Sequence, residues 1–146
     1  MAKTHKVGLG NRLINLVFRI MTRFGVGASY RFILTVRGRK TGRLYSIPVD
    51  IMEYGGDKWL VAGYGVTNWV HNVRASGEVT LARGGRSQRF SSEEGEIKGA
   101  VPVLRKYITE VPVTRPYFDA RPDAPDEAIA AELVRHPVFR LIPRSY

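Results

Sequence analysis

The chain has 146 residues, 44% of them hydrophobic and 25% charged, and no cysteine. That is the size and apolar content of one globular domain, which excludes a disordered tail, a fibre and a disulfide or thiolate–metal scaffold, and no stretch approaches the roughly 20 apolar residues that cross a bilayer. The formal charge is +10 and uneven: the first acidic residue is Asp50, so residues 1–49 hold ten of the 23 basic residues and the remainder is balanced at 13 against 13. A field concentrated in one third of the chain predicts an anionic partner there, whether a nucleic acid, acidic lipid head groups or a phosphorylated cofactor.

Residues 11–24 read as a helix. Leu13, Leu16, Val17, Ile20 and Phe24 recur at three and four, while Arg12, Asn15, Arg19, Thr22 and Arg23 fill the other side, and Gly25 and Gly27 end it. The same wide apolar face with a basic stripe suits an interfacial membrane helix. Arg12, Arg19 and Arg23 interrupt the apolar stretch instead of preceding it, which is not a signal peptide's arrangement. The expected location is therefore the cytoplasm, at the inner face of the plasma membrane if that helix is interfacial.

From Arg31 the period becomes strand-like, with strands predicted over 31–37, 45–54, 58–64, 78–83, 86–91 and 138–144. Tyr54-Gly-Gly-Asp57 and Gly84-Gly85 are hairpin connections. Short helices are predicted over 67–75, 101–109 and 125–136; Thr67 or Asn68 is available to cap the first. Asp123 caps the last, Arg135 and His136 complement its negative end, and Pro137 stops it. Short strands joined by tight turns predict a small antiparallel barrel rather than a parallel sheet. With no linker or repeat, 1–146 reads as one domain, of which 1–27 form the basic amphipathic region.

Two segments could carry chemistry. Thr35-Val-Arg-Gly-Arg-Lys-Thr-Gly-Arg43 puts Arg37, Arg39, Lys40 and Arg43, the Thr41 hydroxyl and two glycines in a turn after a strand, offering guanidinium forks and free N–H groups to a phosphate or to carboxylates. The spacing is neither a P-loop nor a dinucleotide fingerprint, and an arm for the DNA minor groove or a solvated hairpin loop fits the same residues. Nucleic acid is the weakest of these, because interleaved aromatics are missing. In Trp59 to Arg74 a buried strand runs through Ala62, Gly63, Tyr64 and Gly65 into a helix start carrying Trp69, His71 and Asn72; the glycines would let a flat ligand approach the backbone and Ala62 would leave room beside it. His5, His71 and His136 are not spaced as metal ligands, and no Ser-His-Asp order or carboxylate pair stands out.

Gly38-Arg-Lys-Thr-Gly42, Pro48, Val61-Ala62, Trp69-Val-His-Asn-Val-Arg-Ala75 and His136-Pro-Val-Phe-Arg-Leu-Ile-Pro143, in this order, resemble the deazaflavin-dependent nitroreductase family of actinobacteria over roughly residues 11–143. The resemblance implies a split β-barrel of the pyridoxamine-oxidase-like type, related to flavin mononucleotide (FMN) enzymes, that binds the 8-hydroxy-5-deazaflavin coenzyme F420 in a basic groove and needs no metal. By position, it implies Arg39, Lys40 and Thr41 on the cofactor phosphate, Arg37 and Arg43 on its polyglutamate tail, Pro48 and Val49 along the deazaflavin, Ala62, Gly63 and Tyr64 at its ring edge, and Trp69 and Asn72 as the pocket wall. The chain departs from the family in the short 64–68 loop, in Thr67 where relatives often have proline, and in Tyr64 and Gly65 after the strand.

The expected activity is hydride transfer from reduced F420 to an apolar conjugated acceptor such as a quinone, enone or nitroaromatic, with Tyr64 and Tyr117 as candidate proton donors or orienting groups. FMN is the less favoured cofactor. The alternative is a fatty-acid or lipid-binding protein of the same barrel whose basic helix touches anionic membrane. Both a monomer and a homodimer are compatible with the sequence.

Overall fold

Along Arg31–Arg37 (β1), Leu34 and Val36 turn inward to full burial while Ile33, Thr35 and Arg37 take the other side, the period of two that a half-buried strand requires. The computed structural model describes residues 31–144, so the helix expected over 11–24 lies outside the described residues. Five more strands follow, β2 (Leu44–Tyr54), β3 (Asp57–Val61), β4 (Glu78–Arg83), β5 (Arg86–Glu94) and β6 (Val138–Pro143). They pair antiparallel in the order β1-β2-β3-β6-β5-β4 and close, because β4 returns to β1. Closure leaves no sheet edge to be protected. The expected small antiparallel barrel is what forms.

Two apolar cores lie on opposite sides of the barrel wall. Inside are Leu34, Val36, Val49, Ile51, Leu60, Phe90 and Phe139, plugged by Val70 and Val73 of helix α1 (Asn68–Ser76). Outside, Met52, Trp59, Val61 and Val138 meet Leu104, Tyr107 and Ile108 of α2 (Ile97–Glu110) and Ile129 of α3 (Asp126–Glu132). Burying each such side chain contributes about 1.5–3 kcal/mol. The barrel is thus a rigid support for the loops at its ends.

Several expected boundaries move. β3 ends at Val61, because the chain folds back with Gly63 N–H on the Val61 carbonyl and Gly65 N–H on that of Ala62, both at 3.1 Å. α2 starts earlier than predicted, its first turns disguised by Gly99 and Pro102. The last helix starts behind Pro125 with no side-chain cap, so Asp123 does not cap it. It also stops at Glu132, where the N–H groups of Arg135 and His136 both fold back to the Glu132 carbonyl, leaving His136 outside the helix rather than at its negative end. Thr67 flanks α1 without a side-chain cap. A 3-10 helix over Pro112–Tyr117 was not foreseen.

Candidate functional site

The β1–β2 connection is a compact loop. Gly38 N–H donates to the Arg43 carbonyl at 2.7 Å and Gly42 N–H to that of Gly38 at 2.9 Å, with Gly42 in the left-handed region at φ 74°. The Tyr45 ring covers Gly38 so closely that a Cβ there would lie 2.4 Å from its Cε2. Thr41 Oγ1 bonds the Tyr45 hydroxyl at 3.0 Å and accepts the Arg43 N–H at 3.2 Å. Arg37 Nη1 donates to the Gly42 carbonyl at 2.6 Å. The loop is therefore preformed before anything binds.

Helix α1 fixes its tip. The buried Asn72 Oδ1 accepts the Arg39 backbone N–H at 3.1 Å and Arg39 Nη1 at 2.8 Å, and the Asn68 carbonyl takes the same Nη1 at 3.4 Å. Among the described residues, the backbone N–H groups of Lys40 and Thr41 have no acceptor, and the Lys40 and Arg43 side chains have no anionic partner. Exposed cations and free N–H groups on a fixed loop are chemically suited to an anion.

A second cluster sits where β3 ends. A Cβ on Gly63 would lie 1.9 Å from the Tyr107 hydroxyl, so the space this glycine leaves is filled by the chain's own tyrosine. The Tyr107 hydroxyl donates to Asp50 Oδ2 at 3.4 Å, and Arg31 Nε donates to Asp50 Oδ1 at 3.3 Å. Burial pushes the Asp50 carboxyl above its ordinary value against the pull of Arg31, and drives the Tyr107 phenol well up. Tyr64, 40% exposed, meets Tyr117 edge to face with centroids 5.0 Å apart. Burial first, then the nearby Asp50 charge, raise the Tyr64 phenol, so it keeps its proton at neutral pH.

The fold thus joins Arg39 to Asn72 and Tyr64 to Tyr117. Pro48 is half-buried on the outer face opposite Ile33, but strand alternation sends Val49 into the barrel core, where Ala62 also lies. Their side chains are committed to packing, leaving only backbone for a ligand at the surface. Trp69 is half-buried against the same core and His71 is exposed. Asp50, Tyr107 and His136 were not foreseen as neighbours of the candidate tyrosines, nor Glu132 as a neighbour of His136; the one signal was Asp50, a carboxylate within the apolar run 47–52. No group of three His, Asp or Glu residues among the described residues could hold a metal ion. A groove of about 790 Å³ beside α2 and α3 contains none of the candidate residues, and its Arg105 is already paired with Asp126.

Comparison with known proteins bears on this geometry. The family model for F420H(2)-dependent quinone reductase matches residues 17–117. No curated protein matches. Among solved structures, one described as a domain-swapped dimer is 19% identical over 92% of this chain and 99% of its own, with a TM-score of 0.59. An F420-H2 dependent reductase, FDR-A, is 18% identical over 77% of this chain and 94% of its own, with a TM-score of 0.53. A Listeria innocua protein described as a pyridoxamine 5'-phosphate oxidase candidate is 12% identical, covering 94% and 95% of the two chains, with a TM-score of 0.52. At these identities the likeness shows the fold, a split barrel of the pyridoxamine-oxidase-like kind.

Proposed function

Because the chain belongs to the F420H(2)-dependent quinone reductase family and is an F420-dependent reductase, we propose that it delivers a hydride from reduced F420 to an apolar conjugated acceptor, a quinone, enone or nitroaromatic. The observation that carries the site assignment is the preformed basic loop locked by Asn72. Its free N–H groups and unpaired cations fit a coenzyme that bears a phosphate and a string of carboxylates. When bound, F420 supplies the two-electron hydride chemistry, which is why the protein needs no strong acid or metal of its own.

The chain's residues then bind, orient and protonate. Arg39, Lys40 and the N–H groups of Lys40 and Thr41 hold the phosphate; the Thr41 hydroxyl, already bonded to Tyr45, shapes the loop. Arg37 and Arg43 face the acidic tail. Pro48, Gly63 and the backbone of Val49 and Ala62 border the ring, with Trp69 and Asn72 as the wall. Tyr64 and Tyr117, paired at 5.0 Å, orient the acceptor, and Tyr64, held as a neutral phenol, gives a proton to the reduced oxygen. The likeness to a domain-swapped dimer favours a homodimer, which sedimentation checks.

The test is a titration with F420 and, in parallel, FMN at low and raised salt. Binding of F420 alone, weakened by salt and by the double variant Arg39→Ala/Lys40→Ala, is the expected outcome. An unchanged dissociation constant in that variant would reject the phosphate assignment.

A further inference from the structure

The backbones that carry Tyr64 and Tyr117 are fastened to one buried side chain. His136 is 2% exposed; its Nδ1 lies 2.8 Å from the Ala62 carbonyl oxygen and its Nε2 2.8 Å from that of Tyr117. The Ala62 oxygen also accepts the Gly65 N–H at 3.1 Å, so it anchors the turn that presents Tyr64. One face of the imidazole stacks on Phe118, with centroids 3.8 Å apart and planes at 21°. Carbonyl oxygens only accept, so both contacts are hydrogen bonds only if both ring nitrogens carry a proton. A neutral ring bonds one carbonyl and sets a lone pair against the other.

We propose that His136 is the positioning residue of the Tyr64–Tyr117 pair, a double clamp whose second bond forms when the ring is protonated. The inference rests on the reading that these tyrosines meet the acceptor. From the turn before β6, Glu132 favours the charged ring and Arg135 opposes it, Arg135 being itself paired with Glu132 and with Asp119 at 2.9 Å. The end of the 3-10 helix and the residue after it present Tyr117 and Phe118, the turn after β3 presents only the Ala62 backbone, and Asp50 acts on Tyr64. Burial outweighs the two carbonyls and holds the ring below its usual 6.5. One bond therefore holds at neutral pH and two on acidification.

Nitrogen-15 histidine and carbon-13 tyrosine spectra of the full chain without cofactor test this. Between about pH 7.5 and about pH 5, the second His136 ring nitrogen is expected to join the first in the protonated range, and the Tyr64 and Tyr117 ring signals to move with the same midpoint. The Asp50→Asn variant should keep that coincidence. Tyrosine signals that stay flat through the His136 midpoint, or a ring that stays neutral to about pH 5, overturn the clamp. His136→Gln, which keeps one donor, is expected to lower kcat about tenfold while F420 affinity stays within about twofold, since the basic loop is separate. An equal loss of F420 affinity overturns the positioning role. Unchanged turnover in Tyr64→Phe and Tyr117→Phe would instead retire the catalytic reading, with the coupled titration still deciding the clamp.

Discussion

Gly63 and Asn72 do work that their residue types alone do not announce. An added methyl at Gly63 meets the Tyr107 hydroxyl, so Gly63→Ala must expel the ring from its place beside Asp50. We expect it to cost about 1–3 kcal/mol in urea unfolding, with part recovered in the Gly63→Ala/Tyr107→Phe double variant. Asn72→Ala removes the acceptor shared by two Arg39 donors. Because Arg39 is exposed, the loss is expected to appear in ligand affinity rather than stability: F420 binding should weaken about tenfold, roughly 1.4 kcal/mol, and an unaltered affinity would separate α1 from the anion site. In sequence, Arg39 and Lys40 stand out by type and spacing as the pair proposed to meet an anion. Asn72 as their brace does not, because the contact crosses from one loop to another element.

At the scale of elements, the turn after α3 organises the segment after the 3-10 helix. The Glu132 carboxylate, 3% exposed as a residue, accepts the N–H groups of Asp119 and Ala120 at 2.7 and 3.0 Å and pairs with Arg135. Glu132→Ala strands two N–H groups, and we expect a loss of about 2–3 kcal/mol in chemical denaturation. A smaller loss in Glu132→Gln, which retains an acceptor, would separate the hydrogen bonds from the ion pair. Strand positions follow from the sequence because period-two patterns and Gly-Gly turns are local, but β3 ends three residues earlier and β5 runs three residues further than expected. Gly55, Gly56, Gly84 and Gly85 all take positive φ, as tight hairpins demand. Helix ends were read less well: α3 ends where the Glu132 carbonyl takes the N–H groups of Arg135 and His136 while its carboxylate reaches back to those of Asp119 and Ala120, the second a tertiary contact.

For the whole molecule, binding to the folded state alone adds stability by mass action, about 2.7 kcal/mol at a hundredfold excess over the dissociation constant. For a chain of this size that raises Tm by on the order of 8 °C, so F420 should shift thermal unfolding while FMN at the same concentration should not. Acidification works the other way through His136. Its folded-state value lies below 6.5, so the folded chain binds fewer protons; its contribution is complete above 6.5 and is lost as pH falls below it. The slope of stability against pH between about 7 and 5 should therefore lessen in His136→Gln. Among the described residues no helix is long and apolar enough to cross a membrane.

Local physics lies in the sequence itself: which runs alternate, where glycine permits a turn, and that positive charge is concentrated before Asp50. Those features were enough for a small antiparallel barrel, and they single out the β1–β2 loop as the place proposed to take an anion. Barrel closure decided the rest. It buried Val49 and Ala62 in the core while leaving Pro48 on the outer face, set Asn72 under Arg39, filled the space beside Gly63 with Tyr107, and brought the Ala62 and Tyr117 carbonyls onto one histidine. These contacts join residues far apart in the chain, and no periodicity or turn rule reaches across that distance; only the three-dimensional packing of strands and helices brings them within bonding range.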